Sequence, residues 1–184
     1  LQELKMVLEL NKVKLLDIGK PLPHYLTELE LKKIMRLDWL DDFYKQAFYY
    51  YLTTGCRKSE PFLGKIDGNW LIVDFDKSKG KNVRQIHLNP KQLDILIKMK
   101  SALKQHIEKG MKEYTHIDRY NKVLKKALQY LDKADTRSLH DLRHTFAVMR
   151  YLETRDIYQV KTEMGHASVV MTEKYANFLR KISG

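Results

Sequence analysis

Between Phe62 and Leu88 the sequence stops reading as helix, and this interruption constrains the fold more than any other feature. Three short β-like runs, Phe62–Ile66, Trp70–Phe75 and Val83–Leu88, are separated by an Asp67-Gly68 turn and by the segment Ser78–Asn82. Such runs joined by turns predict a small antiparallel sheet. Helical pattern lies on both sides. Upstream, Thr27 and Glu30 stand at capping-box spacing at the head of LTELELKK, and DDFYKQAFYYYLTTG ends on Gly55, a suitable helix C-cap. Downstream, helices are expected over 90–109, 118–131, 138–154, 156–164 and 169–180, with breaks at Gly110, around Asp135 and at Gly165. The fold class expected is α+β, mostly α, with a small three-stranded antiparallel sheet.

At 184 residues the chain is long enough for one well-buried core. Residues 1–21 read as a short amphipathic helix followed by a loop with Gly19 and Pro21, expected to be a linker or the remnant of a preceding domain, with residues 22–184 forming the main domain. The opening LQELKMVLEL lacks the layout of a signal peptide and a starting Met, as expected of a fragment or a trimmed chain. No apolar run is long enough for a membrane-spanning helix, and mean hydropathy is -0.50. The one cysteine, Cys56, cannot form an internal disulfide, which suits a reducing cytosol or nucleus.

Charge gives the first functional hint. Thirty-four Lys and Arg against twenty-three Asp and Glu leave +11 and a pI near 9.5. A surplus of that size favours a polyanion, through counterion release from a phosphate backbone. It is concentrated from Lys77 to Lys112, where ten basic residues face only Asp94 and Glu108. Charge alone does not name a reaction, and a solvated helix face would carry the same residues.

Four stretches carry candidate chemistry. In Thr54-Gly55-Cys56-Arg57-Lys58-Ser59-Glu60, Arg57 follows a helix break and can aim a guanidinium fork at a phosphate. In Lys77-Ser78-Lys79-Gly80-Lys81, a lysine on a tight turn can be held as a proton donor. In His140-Asp141-Leu142-Arg143-His144, helical spacing puts His140, Arg143 and His144 on one face, with Leu142, Phe146 and Met149 directed to the core. A His beside an Arg suits an anionic oxygen better than a metal, since the Arg repels a cation and the partner spacing of a zinc site is missing. The fourth stretch is Met164-Gly165-His166, followed nine residues later by Tyr175. Each has an ordinary explanation when taken alone: a surface Arg, an exposed turn, a polar helix stripe, a core aromatic.

In chain order, however, Arg57, a hairpin Lys, His140-x-x-Arg143, His166 and Tyr175 resemble the active-site signature of the tyrosine recombinases, the phage integrase family. The specific part is HDLRHTFA, with twenty-three residues from Arg143 to His166 and nine more to Tyr175. The resemblance runs from about Leu26 to Phe178 and covers only the catalytic domain of that family. It implies a site-specific DNA recombinase working through a 3′-phosphotyrosine, without metal, cofactor or ATP. Arg57 and Arg143 would clamp the scissile phosphate, His166 would donate a hydrogen bond to it, and His140 would accept or relay a proton. A hairpin lysine would protonate the leaving 5′-oxygen; counting back from Leu88 favours Lys79, with Lys77 and Lys81 as rivals. Tyr175 would be the nucleophile, and Lys77, Lys81, Arg84 and His144 would contact DNA. The implied partner is double-stranded DNA carrying a recombination site, bound by a homo-tetramer on two duplexes, with no membrane. The implied place is the cytoplasm of a prokaryotic, archaeal or viral setting, at the nucleoid.

Two features qualify the match. Asn177 stands where the family often has a His, and the tail after Phe178, LRKISG, is short for a segment that docks on a neighbouring subunit. Three other readings compete. A type IB topoisomerase or telomere resolvase shares the Arg, Lys and Tyr logic. A DNA-binding relative that has lost catalysis keeps the fold, and an RNA-binding or ribosome-associated domain explains only the charge.

Overall fold

The computed structural model describes residues 24–74, 83–131, 138–166, 168–169 and 172–173. Seven helices and three strands are described, in the order α1 (Glu28–Met35), α2 (Asp42–Thr54), α3 (Glu60–Leu63), β1 (Lys65–Asp67), β2 (Trp70–Val73), β3 (Arg84–His87), α4 (Pro90–Glu108), α5 (Glu113–Gln129), α6 (Leu139–Thr154) and α7 (Ile157–Met164).

The helix starts are written locally. In α1 the Thr27 hydroxyl accepts from Glu30 N at 3.3 Å and Glu30 Oε2 accepts from Thr27 N at 2.7 Å, closing the expected capping box. Asn89 and Gln92 do the same for α4, where Pro90 fills the first turn without losing a needed donor. Ser138 and Asp141 repeat the device at α6. Stops are equally local: Gly55 (φ 62°) ends α2 and Gly165 (φ 61°) ends α7, both left-handed.

The strands form one antiparallel sheet in the order β1-β2-β3, with Asp67 opposite Trp70 and Trp70 opposite His87. Alternation buries Leu71, Val73, Arg84 and Ile86 and leaves Trp70, Gln85 and His87 outside. The strands are shorter than their β-like runs. Phe62 in particular belongs to the one-turn helix α3, because Ser59-Glu60-Pro61 opens a helical turn before Gly64 releases the chain into β1. Gly64 is required by space: a Cβ there would stand 2.5 Å from Leu71 Cδ1.

Helix α2 is the hub, packing on α4, α5 and α6. Its Phe48, Tyr50 and Tyr51 are buried, and Tyr120 of α5 meets Tyr44, Tyr51 and Phe62 with ring centroids 5.4 to 6.5 Å apart. Helix α5 starts at Glu113 rather than the expected 118. The extra turn is fixed from outside, by His106 of α4 at 2.9 Å from the Thr115 hydroxyl. A smaller apolar cluster of Phe146, Ala147, Val148, Leu152, Val160 and Met164 joins α6 to α7. No described helix is long and apolar enough to cross a membrane.

Candidate active site

Three segment ends meet beside the start of α6: the C-terminus of α2, the start of β3 and the C-terminus of α7. The first junction is steric. A Cβ on Gly55 would collide with the Phe146 ring of α6, and its positive φ also disfavours any side chain. Glycine therefore lets α2 stop against α6 and aims the Gly55 carbonyl at Arg143, whose Nη1 donates to it at 2.6 Å.

Arg143 is only 1% exposed. Its Nη2 donates to the Met164 carbonyl at the end of α7. The neighbouring carbonyls of that helix end accept from two other arginines. Glu163 O accepts from Arg84 Nη2 at 2.6 Å and Nε at 3.0 Å, and Gly165 O accepts from Arg57 Nη2 at 3.2 Å. A helix C-terminus leaves carbonyls without intrahelical donors and carries partial negative charge. Guanidinium groups suit it on both counts.

Glu60, which its place in the sequence does not single out, ties these cations together. Glu60 is 4% exposed. Its Oε2 accepts from Arg57 N at 2.8 Å and from Arg84 Nη1, while its Oε1 accepts from Arg57 Nη1 at 2.6 Å. Arg57 itself is about one-third exposed. One carboxylate thus serves two arginines, and with Arg143 the junction stays net cationic. A hint was available, since Glu60 lies three residues after Arg57, one turn on if that stretch is helical.

Arg84, expected to contact DNA, has a different place. Its side chain is 3% exposed and is spent on Glu60, Glu163 O, Thr54 O at 3.3 Å and Gly55 O at 3.4 Å. Strand alternation explains this, because Arg84 shares the inward face with Ile86. A charged residue on an apolar strand face signals an internal partner.

His166 follows Gly165 directly, and its Nδ1 lies 2.8 Å from the Thr172 hydroxyl. A Cβ on Gly165 would approach Arg84 Cδ to 2.7 Å, so the turn before His166 rests on the Arg84 stem. The structure therefore brings Arg57, Arg143 and the His166 backbone to one helix end. His140 is exposed in the first turn of α6 and meets His144 edge-on at 4.4 Å. The expected common face of His140, Arg143 and His144 thus runs from solvent into the core, with Arg143 at its buried side. Leu142 and Phe146 point inward as expected. Lys77, Lys79, Lys81, Tyr175 and Asn177 lie outside the described residues, as does most of the helix expected over 169–180; within it, Thr172 N and Glu173 N donate to Val169 O at 2.7 and 2.9 Å.

Two potentially nucleophilic side chains that lie near the junction, Cys56 and Tyr50, are poorly suited. Cys56 lies 3.8 Å from the Tyr50 hydroxyl, and burial pushes both the thiol and that phenol up, away from their anionic forms. Among the described residues no three His, Cys, Asp or Glu side chains are grouped to hold a metal. What the junction can offer is fixed positive charge at a helix end, which is suited to an oxyanion.

The sequence matches the phage integrase family over residues 24–181. This chain belongs to that family. No curated protein sequence matches it. Among solved structures it is similar to XerH site-specific recombinase bound to a palindromic difH substrate in a post-cleavage complex, with TM-score 0.60 and 21% identity, covering 87% of this chain and 51% of that one. XerA recombinase gives TM-score 0.60 and 21% identity over 92% of this chain and 65% of that one. A lambda integrase dimer bound to a COC′ core site gives 0.59 and 19% over 86% and 60%. At these identities the likeness is one of fold, and the chain spans about half to two thirds of the length of those structures. The mostly helical fold with its three-stranded antiparallel sheet is that of tyrosine recombinase catalytic domains.

Proposed function

We propose that this domain cleaves and rejoins double-stranded DNA at a specific site through a 3′-phosphotyrosine on Tyr175. The observation that carries the reading is the convergence of Arg57, Arg143 and the Gly165–His166 turn on one helix end, in a member of the phage integrase family. Two fixed guanidinium groups would stabilise the charge that gathers on the non-bridging oxygens as the phosphorus becomes pentavalent. They would supply the positive charge that a divalent cation supplies in many nucleases. Arg143 already donates to backbone carbonyls, so phosphate would share or exchange those bonds.

In the reaction the Tyr175 phenol oxygen bonds to phosphorus as the bond from phosphorus to the 5′-oxygen breaks. His140 takes or relays the phenolic proton, Lys79 gives a proton to the departing 5′-oxygen, and His166 donates to the phosphate. A 5′-hydroxyl from a second duplex reverses the attack, so rejoining needs no ATP. XerH and lambda integrase were each captured on DNA. By analogy this chain would act on a DNA site as a homo-tetramer on two duplexes, at the nucleoid. Lys77, Lys81 and His144 would be its further DNA contacts.

The test is a nicked suicide duplex incubated with wild type, Tyr175→Phe and Arg143→Ala, with EDTA throughout. The expected result is a denaturation-resistant protein–DNA adduct from wild type alone. An adduct from Tyr175→Phe would move the nucleophile elsewhere. Tight binding with no adduct from any of the three would make the domain a DNA-binding relative without catalysis.

A further inference from the structure

Arg57 is held on two sides, and Arg84 stands behind both. On one side Arg57 donates to Glu60 from its Nη1 and its backbone N; on the other its Nη2 donates to Gly165 O. Arg84 pairs with the same Glu60 carboxylate through Nη1. Its aliphatic stem supports Gly165, and its Nε and Nη2 hold Glu163 O two residues earlier. Nη2 also reaches Thr54 O and Gly55 O, the last carbonyls before the segment that carries Arg57. A single buried guanidinium therefore spans the end of α2, the start of α3 and the end of α7.

We infer that Arg84 is a positioning residue, fixing Arg57 and the Gly165–His166 turn in the geometry that phosphate cleavage requires. The inference rests on the function proposed above and adds to it a residue buried behind the site. Its chemistry follows from the planar guanidinium, which presents its donors in a fixed fork in several directions at once. A lysine could neutralise Glu60 but could not also reach Glu163 O and the two α2 carbonyls. Without a cation in that place, Glu60 would be a buried carboxylate with Arg57 as its main charged partner, and would either pull Arg57 inward or take up a proton. A buried ion pair of this kind adds little to stability against apolar residues of similar size. Its directionality is what the site uses.

The experiment compares wild type with Arg84→Lys in single-turnover cleavage of the suicide duplex at saturating protein, alongside thermal melting and DNA affinity. Each is run on a normal scissile phosphate and on a neutral methylphosphonate at the same position. Arg84→Lys is expected to fold and to bind DNA within about twofold of wild type, as befits a change felt only in the transition state. It should cleave the normal phosphate roughly 10- to 100-fold more slowly, the scale of a small misplacement of a reacting group. The deficit should shrink on the methylphosphonate, which lacks the charge that Arg57 would stabilise. If Arg84→Lys does not fold, Glu60→Gln with Arg84→Met replaces the pair by neutral groups of similar size and carries the same expectation. A folded variant that cleaves at the wild-type rate, or that is slowed equally on both substrates, overturns the inference and leaves the proposed function standing. A wild type that forms no adduct overturns both.

Discussion

Along its length α2 packs into aromatic rings, while at its C-terminal end it meets two buried guanidinium groups. Phe48, Tyr51, Arg84 and Arg143 are all buried. Tyr44 and Tyr51 face Tyr120, which also meets Phe62, and Phe48 packs on Tyr44; Thr54 and Gly55 give their carbonyls to Arg84 and Arg143 at the other end. Ring burial is favourable over a broad range of geometries and supplies stability in proportion to area. Ion pairs and charge-assisted hydrogen bonds are directional, and their desolvation cost cancels much of their attraction. The difference teaches a division of labour: the aromatic region holds the domain together, and the charged end sets where Arg57 and Arg143 stand. Tyr51 joins the two, buried among the rings with its hydroxyl donating to Lys58 O at 2.7 Å, one residue past Arg57.

If the division is right, the two regions fail in different currencies. The largest stability effect belongs to Tyr120→Ala, expected to cost about 3–5 kcal/mol because it empties the centre of the ring cluster. Urea titration measures the loss, and cleavage per folded molecule should stay at the wild-type value. A slowed reaction in folded Tyr120→Ala would show that the rings also position the site. Arg84→Lys should behave in the opposite way, losing rate and keeping most of its melting temperature.

A smaller effect comes from His116, which packs on Tyr120 and Phe62. Burial first, then the neighbouring His106 and Arg119, push its imidazole down to about 4. The folded state therefore refuses a proton that the unfolded chain accepts near ~6.5. Stability is complete above that value, falls as pH drops from about 6.5 to about 4, and levels off below. The loss over this window is about 2–3 kcal/mol. Denaturant titrations across the window should show that slope in wild type and lose it in His116→Gln. An unchanged slope would assign the acid sensitivity to other groups.

The smallest effect is expected at the surface. Asp118 lies 3.4 Å from both Lys58 and Lys122, but both lysines are exposed and Asp118 is only partly buried. Asp118→Asn should change stability by no more than about 0.5 kcal/mol, less still in high salt. A larger change would mean that Lys58, next to Arg57, transmits strain from the surface into the charged end.

Much of the fold was legible because its signals are local. The capping pair Thr27 and Glu30 and the breaks at Gly55, Gly110 and Gly165 depend on neighbours within one turn. The sheet was legible as a change of pattern, but its edges were not: Phe62 carries β propensity and sits in α3, where Pro61 and the ring cluster outweigh it. The start of α5 was missed for a similar reason, since His106 anchors that turn from another helix.

The candidate site divides along the same line. The sequence by itself determined which cations stand at which helix breaks, because Arg57, Arg143 and His166 are tied to Gly55, the capped start of α6 and Gly165 by short-range geometry. Only the tertiary structure decided that Glu60 would join Arg57 to Arg84, that Arg84 would turn inward, and that Arg143 would be buried while His140 stayed exposed. Those outcomes depend on carbonyls up to 88 positions away in the chain. A guanidinium goes where desolvation is repaid by acceptors, and where those acceptors lie is known only once the helices have packed.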